Sequence, residues 1–177
     1  MFLKKNFIVG ITFALLLISS AVRSETTEKP IETKRSGYWT YYCEDIEDRR
    51  HCEIAQKIII EEQKLIFLII YKIAKNKNSN IKENFNVITP LGVNLDKRLK
   101  LTFDDKTKFT KPFFKCESFG CIAVFDVGIA LKHSLENYEN MKITFYDFKN
   151  EEPNSLEMPV SGFIEAFNAI EQQLKSF

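Results

Sequence analysis

The chain has 177 residues, of which 45% are hydrophobic and 28% are charged, with only 6 glycines and 5 prolines. These values fit a globular protein and argue against a disordered, collagen-like or coiled-coil chain. The formal net charge is +1, so the composition gives no reason to expect nucleic-acid binding, which normally requires a basic excess. The length is that of a single domain.

The first 24 residues have the features of a secretory signal peptide. Lys4 and Lys5 provide a positive start, residues 7–18 form an apolar run, and small residues lead to candidate cleavage points after Ala21 and Ser24. A retained membrane anchor is the alternative, but a spanning helix needs about 20 apolar residues and this run is shorter. We therefore expect residues 1–24 to be removed and the protein to be exported, to the periplasm or the outer cell surface.

After the signal we expect a flexible leader, residues 25–37, and a single β domain, residues 38–177. The leader is polar, contains Pro30 and shows no periodicity. The domain opens on the aromatic run Tyr38-Trp39-Thr40-Tyr41-Tyr42, which favours a strand. These aromatic side chains could form a contact surface, but the preferred interpretation is a core strand with Trp39 buried near a disulfide.

Hydrophobic periodicity predicts a series of further strands. Residues 52–60 and 65–73 are interrupted by the charged and polar residues 61–64, so we expect two strands and no transmembrane segment once the signal is removed. The nearly continuous apolar run 65–73 predicts a strand buried on both faces, whereas residues 44–50 are predicted to form a charged loop. The other predicted strands comprise residues 85–89, 99–103, 109–116, 121–127, 141–148 and 156–160.

Two short helices are predicted, one after an Asp126 N-cap and one, near the C-terminus, after a Ser161 N-cap. Each carries a stripe of residues at helical spacing. The first stripe consists of Val127, Ala130, Leu131, Ser134, Leu135 and Tyr138, and the second of Phe163, Ala166, Phe167, Ile170 and Leu174. Many short strands with two minor helices predict a mainly β, β-sandwich-like single domain.

All four cysteines, Cys43, Cys52, Cys116 and Cys121, follow the predicted signal. An even number of cysteines in an exported chain indicates disulfides. Three pairings are open; we favour Cys43–Cys52 and Cys116–Cys121, because both close short loops and Gly120 offers a permissive backbone in the second. Zinc binding and redox catalysis are the alternatives, but the first pair is too widely spaced for a structural zinc site and neither pair is C-x-x-C.

No motif points clearly to catalysis. His51 and His133 are the only histidines, and neither has an evident nucleophile or orienting partner, so we interpret both as surface residues. The Asp104-Asp105 pair could act in acid–base chemistry, but such a pair after a strand is typical of a turn. We therefore expect no catalytic residue, no cofactor and no metal site.

Basic residues crowd one stretch of the chain, at Lys97, Arg98, Lys100, Lys106, Lys108, Lys111 and Lys115. Within it, Lys106, Lys108 and Lys111 are the candidate contacts for an anionic lipid, glycan or acidic partner. The simpler interpretation is a solvated hairpin face, because the lysines alternate with the apolar residues of a half-buried strand.

Several motifs occur in a characteristic order: Trp39…Cys43…Cys52, Thr89-Pro90-Leu91-Gly92-Val93-Asn94-Leu95, Leu101-Thr102-Phe103-Asp104, Pro112-Phe113…Cys116…Gly120-Cys121-Ile122-Ala123 and Val160-Ser161-Gly162-Phe163…Ala166-Phe167. Together they resemble the invasion-associated locus B proteins of alphaproteobacteria, over about residues 38–174. The sequence departs from the family pattern where a glycine often follows the aspartate; here Asp105 and Lys106 follow it.

This resemblance implies an exported, β-rich, non-enzymatic envelope protein that is linked to host-cell invasion in intracellular members of the family. Because free-living bacteria also carry such proteins, a periplasmic housekeeping or envelope-stability role, with an indirect effect on invasion, is the alternative. The resemblance brings no catalytic residue and no cofactor, and it leaves the binding partner, a protein or an anionic surface, unidentified.

Overall fold

The structure is a computed structural model that describes residues 32–63, 65–149 and 152–177. The predicted signal peptide, residues 1–24, and the first part of the predicted leader lie outside these described residues. The remainder is built mainly from β-strands, with two α-helices and one short 3-10 helix, Glu61–Gln63. The mainly β class predicted from the sequence is therefore confirmed.

The helices are α1 (Ile129–Asn137), between the ninth and tenth strands, and α2 (Phe163–Lys175), after the last strand. The strands, in chain order, are β1 (Lys34–Ser36), β2 (Trp39–Ile46), β3 (Arg49–Ile60), β4 (Leu65–Asn76), β5 (Ile81–Thr89), β6 (Leu99–Phe103), β7 (Thr107–Lys111), β8 (Phe113–Glu117), β9 (Gly120–Asp126), β10 (Asn140–Tyr146) and β11 (Pro153–Pro159).

The strands pair into two antiparallel sheets. A seven-stranded sheet has the order β1-β2-β3-β4-β5-β9-β8, and a four-stranded sheet has the order β11-β10-β6-β7. Successive side chains of a strand point to opposite faces of its sheet, and the buried residues of both sheets belong to one hydrophobic cluster. Each sheet therefore has an inner face that lines this core and an outer face, as expected for a sandwich-like domain.

Trp39 belongs to this core. Its side chain is fully buried, and its ring packs edge-on against Phe163 of α2 with 5.3 Å between ring centroids. Its indole Nε1 donates a hydrogen bond to the carbonyl oxygen of Val160 at 3.1 Å, which gives the buried N–H the partner it needs. The core interpretation of Trp39 is confirmed, while its neighbour Tyr38 is exposed.

The apolar face of α2 is confirmed, since all five residues of its predicted stripe are buried. The predicted N-caps are wrong. Gly128 caps α1 and Gly162 caps α2, and neither end has a side-chain capping hydrogen bond. Asp126 still belongs to β9, where its carboxylate accepts a hydrogen bond from Lys111, and Gly162 has a φ of +92°, a left-handed conformation that glycine adopts readily.

A close approach of two glycines explains the residue type at the start of α2. A Cβ added to Gly37, in the β1–β2 turn, would lie 2.8 Å from the carbonyl oxygen of Ser161, and one added to Gly162 would collide with the backbone of Ser36. The first turn of the described chain therefore touches the start of the last helix through backbone atoms.

Strand predictions fail where the chain changes sheets. Residues 109–116 were expected to form one strand, but they are divided at Pro112 between β7 of the four-stranded sheet and β8 of the seven-stranded sheet. Proline has no N–H to donate to a sheet, so it suits the corner where the chain crosses from one sheet to the other.

Two predicted irregular segments contain regular structure. The charged loop at residues 44–50 is instead a tight hairpin, because β2 and β3 pair up to Ile46 and Arg49 and only the turn residues lie between them. Residues Lys34–Ser36, which were assigned to the flexible leader, form β1 and pair with β2. Backbone pairing along an existing strand overrides the low apolar content of both segments.

Candidate anion-binding site

Both predicted disulfides are present. Cys43–Cys52 joins directly opposed residues of β2 and β3, and Cys116–Cys121 joins directly opposed residues of β8 and β9. The local pairing is confirmed, and with every cysteine bonded no thiolate is available as a metal ligand or nucleophile. A side chain at Gly120 would collide with the carbonyl of Thr89, which explains the glycine before the last cysteine.

The histidines and the aspartate pair do not form a catalytic arrangement. His133 is exposed on α1 and His51 is half-buried on β3, and no described residue hydrogen-bonds to either imidazole ring. Asp104 and Asp105 lie in the β6–β7 turn, as predicted, and both have positive φ angles. The backbone N–H of Thr107 donates to the Asp104 carboxylate at 3.2 Å and holds its pKa below the usual value, so it stays ionised at neutral pH and is a poor proton donor.

The three candidate lysines do not share one surface. Lys106 is exposed in the β6–β7 turn and Lys108 is exposed on β7. Lys111 lies opposite the buried Leu99 and forms an ion pair with Asp126 of the other sheet at 2.7 Å, which lowers the pKa of that carboxyl. Lys111 thus joins the two sheets at their edge, and only Lys108 faces outward from the four-stranded sheet.

Strand pairing brings other lysines beside Lys108. Lys142 of β10 and Lys108 of β7 flank Thr102 of β6 in one row across the outer face, and Lys100 lies in the next row, beside Thr144. We call this surface the basic face. It is defined by Lys100, Thr102, Lys108, Lys142, Thr144 and Ser155.

The basic face contains a shallow cavity of about 270 Å³. Besides the six residues of the face, it is lined by Pro153 and one carboxylate, that of Asp105. None of the three lysines forms an ion pair with a described carboxylate, although Glu157 lies opposite Lys142 on the edge strand. The cavity therefore presents three ammonium groups, with hydroxyl groups between them, which is a suitable arrangement for sulfate or phosphate oxygens.

Sequence reasoning missed Lys142 as a site residue. It lies more than thirty residues from Lys108, and its only local signal is alternation with the buried Met141 and Ile143. That alternation predicts an outward side chain in β10, but only the pairing of β10 with β6 places it beside the other lysines.

Apolar side chains are exposed at one end of the outer face of the seven-stranded sheet. Ile59 and Ile66 are a cross-strand pair, 53% and 47% exposed, so the prediction that residues 65–73 are buried on both faces is wrong at the start of β4. At the same end of this sheet, a second cavity of about 340 Å³ is lined by the Cys116–Cys121 disulfide and by exposed apolar side chains that include Leu91, Leu95 and Phe148.

Two further findings limit what the site can be. Within residues 32–63, 65–149 and 152–177, no three His, Cys, Asp or Glu side chains are grouped so that they could hold a metal ion. Neither α1 nor α2 has the length and apolar character that crossing a membrane requires. We take the basic face as the candidate site because three lysines line one cavity there.

Comparison with known proteins identifies the family of this chain through a family model. The family model described as "Invasion associated locus B (IalB) protein" matches residues 39–171, a span that includes both disulfides and the whole basic face. Among solved structures, the chain is similar to the crystal structure of invasion associated protein B from Bartonella henselae, with a TM-score of 0.70 and 20% sequence identity, over 82% of this chain and 98% of that one. No curated protein matches.

Proposed function

Because this chain belongs to the invasion associated locus B family, we propose that it is an exported, non-enzymatic protein of the bacterial envelope that is associated with host-cell invasion and acts as a binding module. The basic face is the observation that carries the binding role. Three lysines without a described ion-pair partner line one cavity together with Thr102, Thr144 and Ser155.

Export is supported by the cysteines and by the start of the sequence. Two disulfides are expected to persist only in an oxidising compartment, such as the periplasm or the cell surface. The positively charged start, the apolar run and the small residues before residue 25 match a secretory signal. A mature chain that begins at Val22 or Glu25 is the expected result of N-terminal sequencing, and one that begins at Met1 would contradict export.

The non-enzymatic role is supported by the surroundings of the titratable groups. The imidazoles have no described hydrogen-bond partner, and the Asp104 carboxylate is held ionised in a turn. Replacing His51 and His133 together should leave both folding and any invasion phenotype unchanged. A loss of phenotype in a folded double variant would point to catalysis.

The binding role is tested by adhesion to host cells. The triple variant Lys100→Glu, Lys108→Glu and Lys142→Glu should lose adhesion and invasion, because it reverses the charge of the basic face. The matched control carries the same change at three exposed lysines elsewhere, Lys57, Lys82 and Lys149, and should keep both activities. Equal activity of the two variants would contradict a role for the basic face.

The direct role is separated from an indirect, periplasmic one by protease treatment of intact bacteria. A protein that contacts the host must be reached by protease added outside the cell, whereas a periplasmic housekeeping factor is protected until the outer membrane is opened. Protection of the whole population, together with normal adhesion of the basic-face variant, would favour the housekeeping role.

A further inference from the structure

The spacing of the charges on the basic face indicates the kind of ligand that it fits. Neighbouring strands are about 4.8 Å apart, so Lys142 and Lys108, on either side of Thr102, are about 10 Å apart at their Cα atoms. Lys100 is two residues along β6 from Thr102, about 7 Å. Lysines that start from three adjacent strands at this Cα spacing can place their ammonium groups along an extended molecule that carries several anionic groups.

The groups between the lysines favour a hydrated ligand over a membrane. Thr102, Thr144 and Ser155 are among the residues that line the cavity, and Thr144 Oγ1 and Ser155 Oγ lie 3.1 Å apart. Hydroxyl groups can donate to sulfate oxygens and accept from the hydroxyls of a sugar. All of the large apolar side chains that are exposed in the described structure lie outside β6, β7, β10 and β11, whereas surfaces that bind membranes combine cations with apolar side chains that insert.

The acidic neighbours of the face also constrain the ligand. Asp105 lines one side of the cavity and Glu157 borders Lys142. A neighbouring cavity of about 330 Å³, which shares Thr102 and Lys142, is lined by the carboxylates of Asp104, Asp105, Glu139 and Glu157. They weaken the attraction for a uniformly charged surface, but a chain whose charged groups are separated by neutral sugar can place its anionic groups over the lysines and avoid the carboxylates. Sulfate esters remain ionised at every physiological pH, so they provide fixed charges for such an arrangement.

We propose that the basic face binds a sulfated polysaccharide, which lies across β10, β6 and β7 with sulfate groups at Lys142, Lys100 and Lys108. This inference rests on the proposed binding role of the same face and gives that role its ligand class. The hydroxyl-lined floor contacts the sugar between the sulfate groups.

Binding of the purified protein to immobilised heparin, in comparison with unsulfated hyaluronan, tests the ligand class. The protein should bind heparin at low salt, bind hyaluronan much more weakly, and be released from heparin as salt rises, because screening shortens the range of its surface charges. Equal binding of both polymers, or no binding of heparin at low salt, would overturn the proposal.

The site is tested with neutral substitutions, so that repulsion is not the cause of any loss. The variant Lys100→Gln, Lys108→Gln and Lys142→Gln should bind heparin about tenfold or more weakly, because three surface charge contacts are lost together. The corresponding Lys→Arg variant keeps the charges and should retain binding, and a Lys→Gln control at Lys57, Lys82 and Lys149 should bind like the original protein. An unchanged affinity of the basic-face Gln variant would place the ligand elsewhere.

Vesicles of phosphatidylglycerol provide the competing ligand. Stronger binding to vesicles than to heparin, with loss in the basic-face Gln variant, would assign the face to anionic lipid and overturn the polysaccharide. The heparin assay involves no cells, so it can fail while the basic face still mediates adhesion. Conversely, the charge-reversed variant could adhere normally, which would contradict the proposed role in invasion. Heparin binding that depends on the three lysines would still support the ligand class.

Discussion

The two disulfides are alike in the chain and differ in their surroundings. Cys43–Cys52 lies at the helix-covered end of the seven-stranded sheet, where Cys52 is buried and the carbonyl oxygens of Gln173 and Leu174 in α2 accept hydrogen bonds from Arg50 and Lys75. Cys116–Cys121 lies at the open end, beside the apolar cavity. There Cys121 is buried as well, but Cys116 is exposed.

The difference shows that the same cross-link can serve two purposes. At the helix-covered end, cationic side chains satisfy the last carbonyl groups of α2, so the disulfide reinforces a surface that is already closed by packing. At the open end the loop around Phe119, which is 64% exposed, has little packing to hold it, so the disulfide itself holds the loop in shape.

The largest expected effect is the loss of the side chain that anchors α2. Phe163→Ala should lower the free energy of unfolding by about 3–5 kcal/mol, since it leaves a cavity beside the fully buried Trp39 and Tyr71. The control at the open end, Leu95→Ala, removes a side chain that is 54% exposed and should change it by about 0.5 kcal/mol or less. Urea denaturation measures the free energy of unfolding of both variants. Similar losses would mean that the two ends do not differ in how much their packing stabilises the fold.

Removal of each disulfide should have a smaller effect that is again larger at the helix-covered end. The variant Cys43→Ala with Cys52→Ala should lose about 2–4 kcal/mol of unfolding free energy. The variant Cys116→Ala with Cys121→Ala should lose less, because its cysteines are 5 residues apart and not 9, and a shorter closed loop restricts the unfolded chain less. Thermal unfolding of the two variants gives the order, and the reverse order would mean that restriction of the unfolded chain does not determine the two losses.

The two bonds should also differ in their rate of reduction. A thiol must reach a sulfur atom in order to attack it, and Cys116 is exposed whereas Cys52 is 1% exposed and Cys43 is half-buried. Brief treatment of the native protein with a mild reductant, followed by alkylation and mass spectrometry, should label Cys116 and Cys121 first. Simultaneous labelling of all four cysteines would indicate that reduction proceeds through global unfolding.

The smallest expected effect is a loss of stability in acid, which arises from one ion pair at the helix-covered end. The Arg50 guanidinium donates two hydrogen bonds of 2.7 Å to the Asp45 carboxylate and lowers its pKa. The unfolded chain therefore binds this proton more readily, so the stabilisation is complete above pH of about 4 and is lost as the pH falls through the lower folded-state pKa. Because the pair is exposed, we expect about 0.5 kcal/mol.

Asp45→Asn should remove this contribution to the acid dependence, as measured by urea denaturation between pH 2 and pH 6. An unchanged pH profile in Asp45→Asn would show that other carboxyl groups determine the acid sensitivity of the fold.

Features that depend on residues close together in sequence could be predicted. Features that depend on which distant strands pair could not. Cysteine spacing and the apolar stripe of α2 predicted both disulfides and the buried helix face, because those features depend on neighbours in sequence. The basic face depends on which strands pair. The sequence placed Lys108 and Lys111 together, but Pro112 turns the chain at the sheet edge, Lys111 binds Asp126, and Lys142 arrives from a distant strand.

The contact between the β1–β2 turn and the start of α2 has a consequence for the order in which the chain folds. Trp39 and its hydrogen-bond acceptor, Val160, are 121 residues apart in sequence, and Gly37 meets Ser161 and Gly162 at the same place. During synthesis the N-terminal partners emerge first and must wait until almost the whole chain has been made. Contacts between such distant residues form slowly, so we expect the contact between the two ends of the domain to be among the last to form.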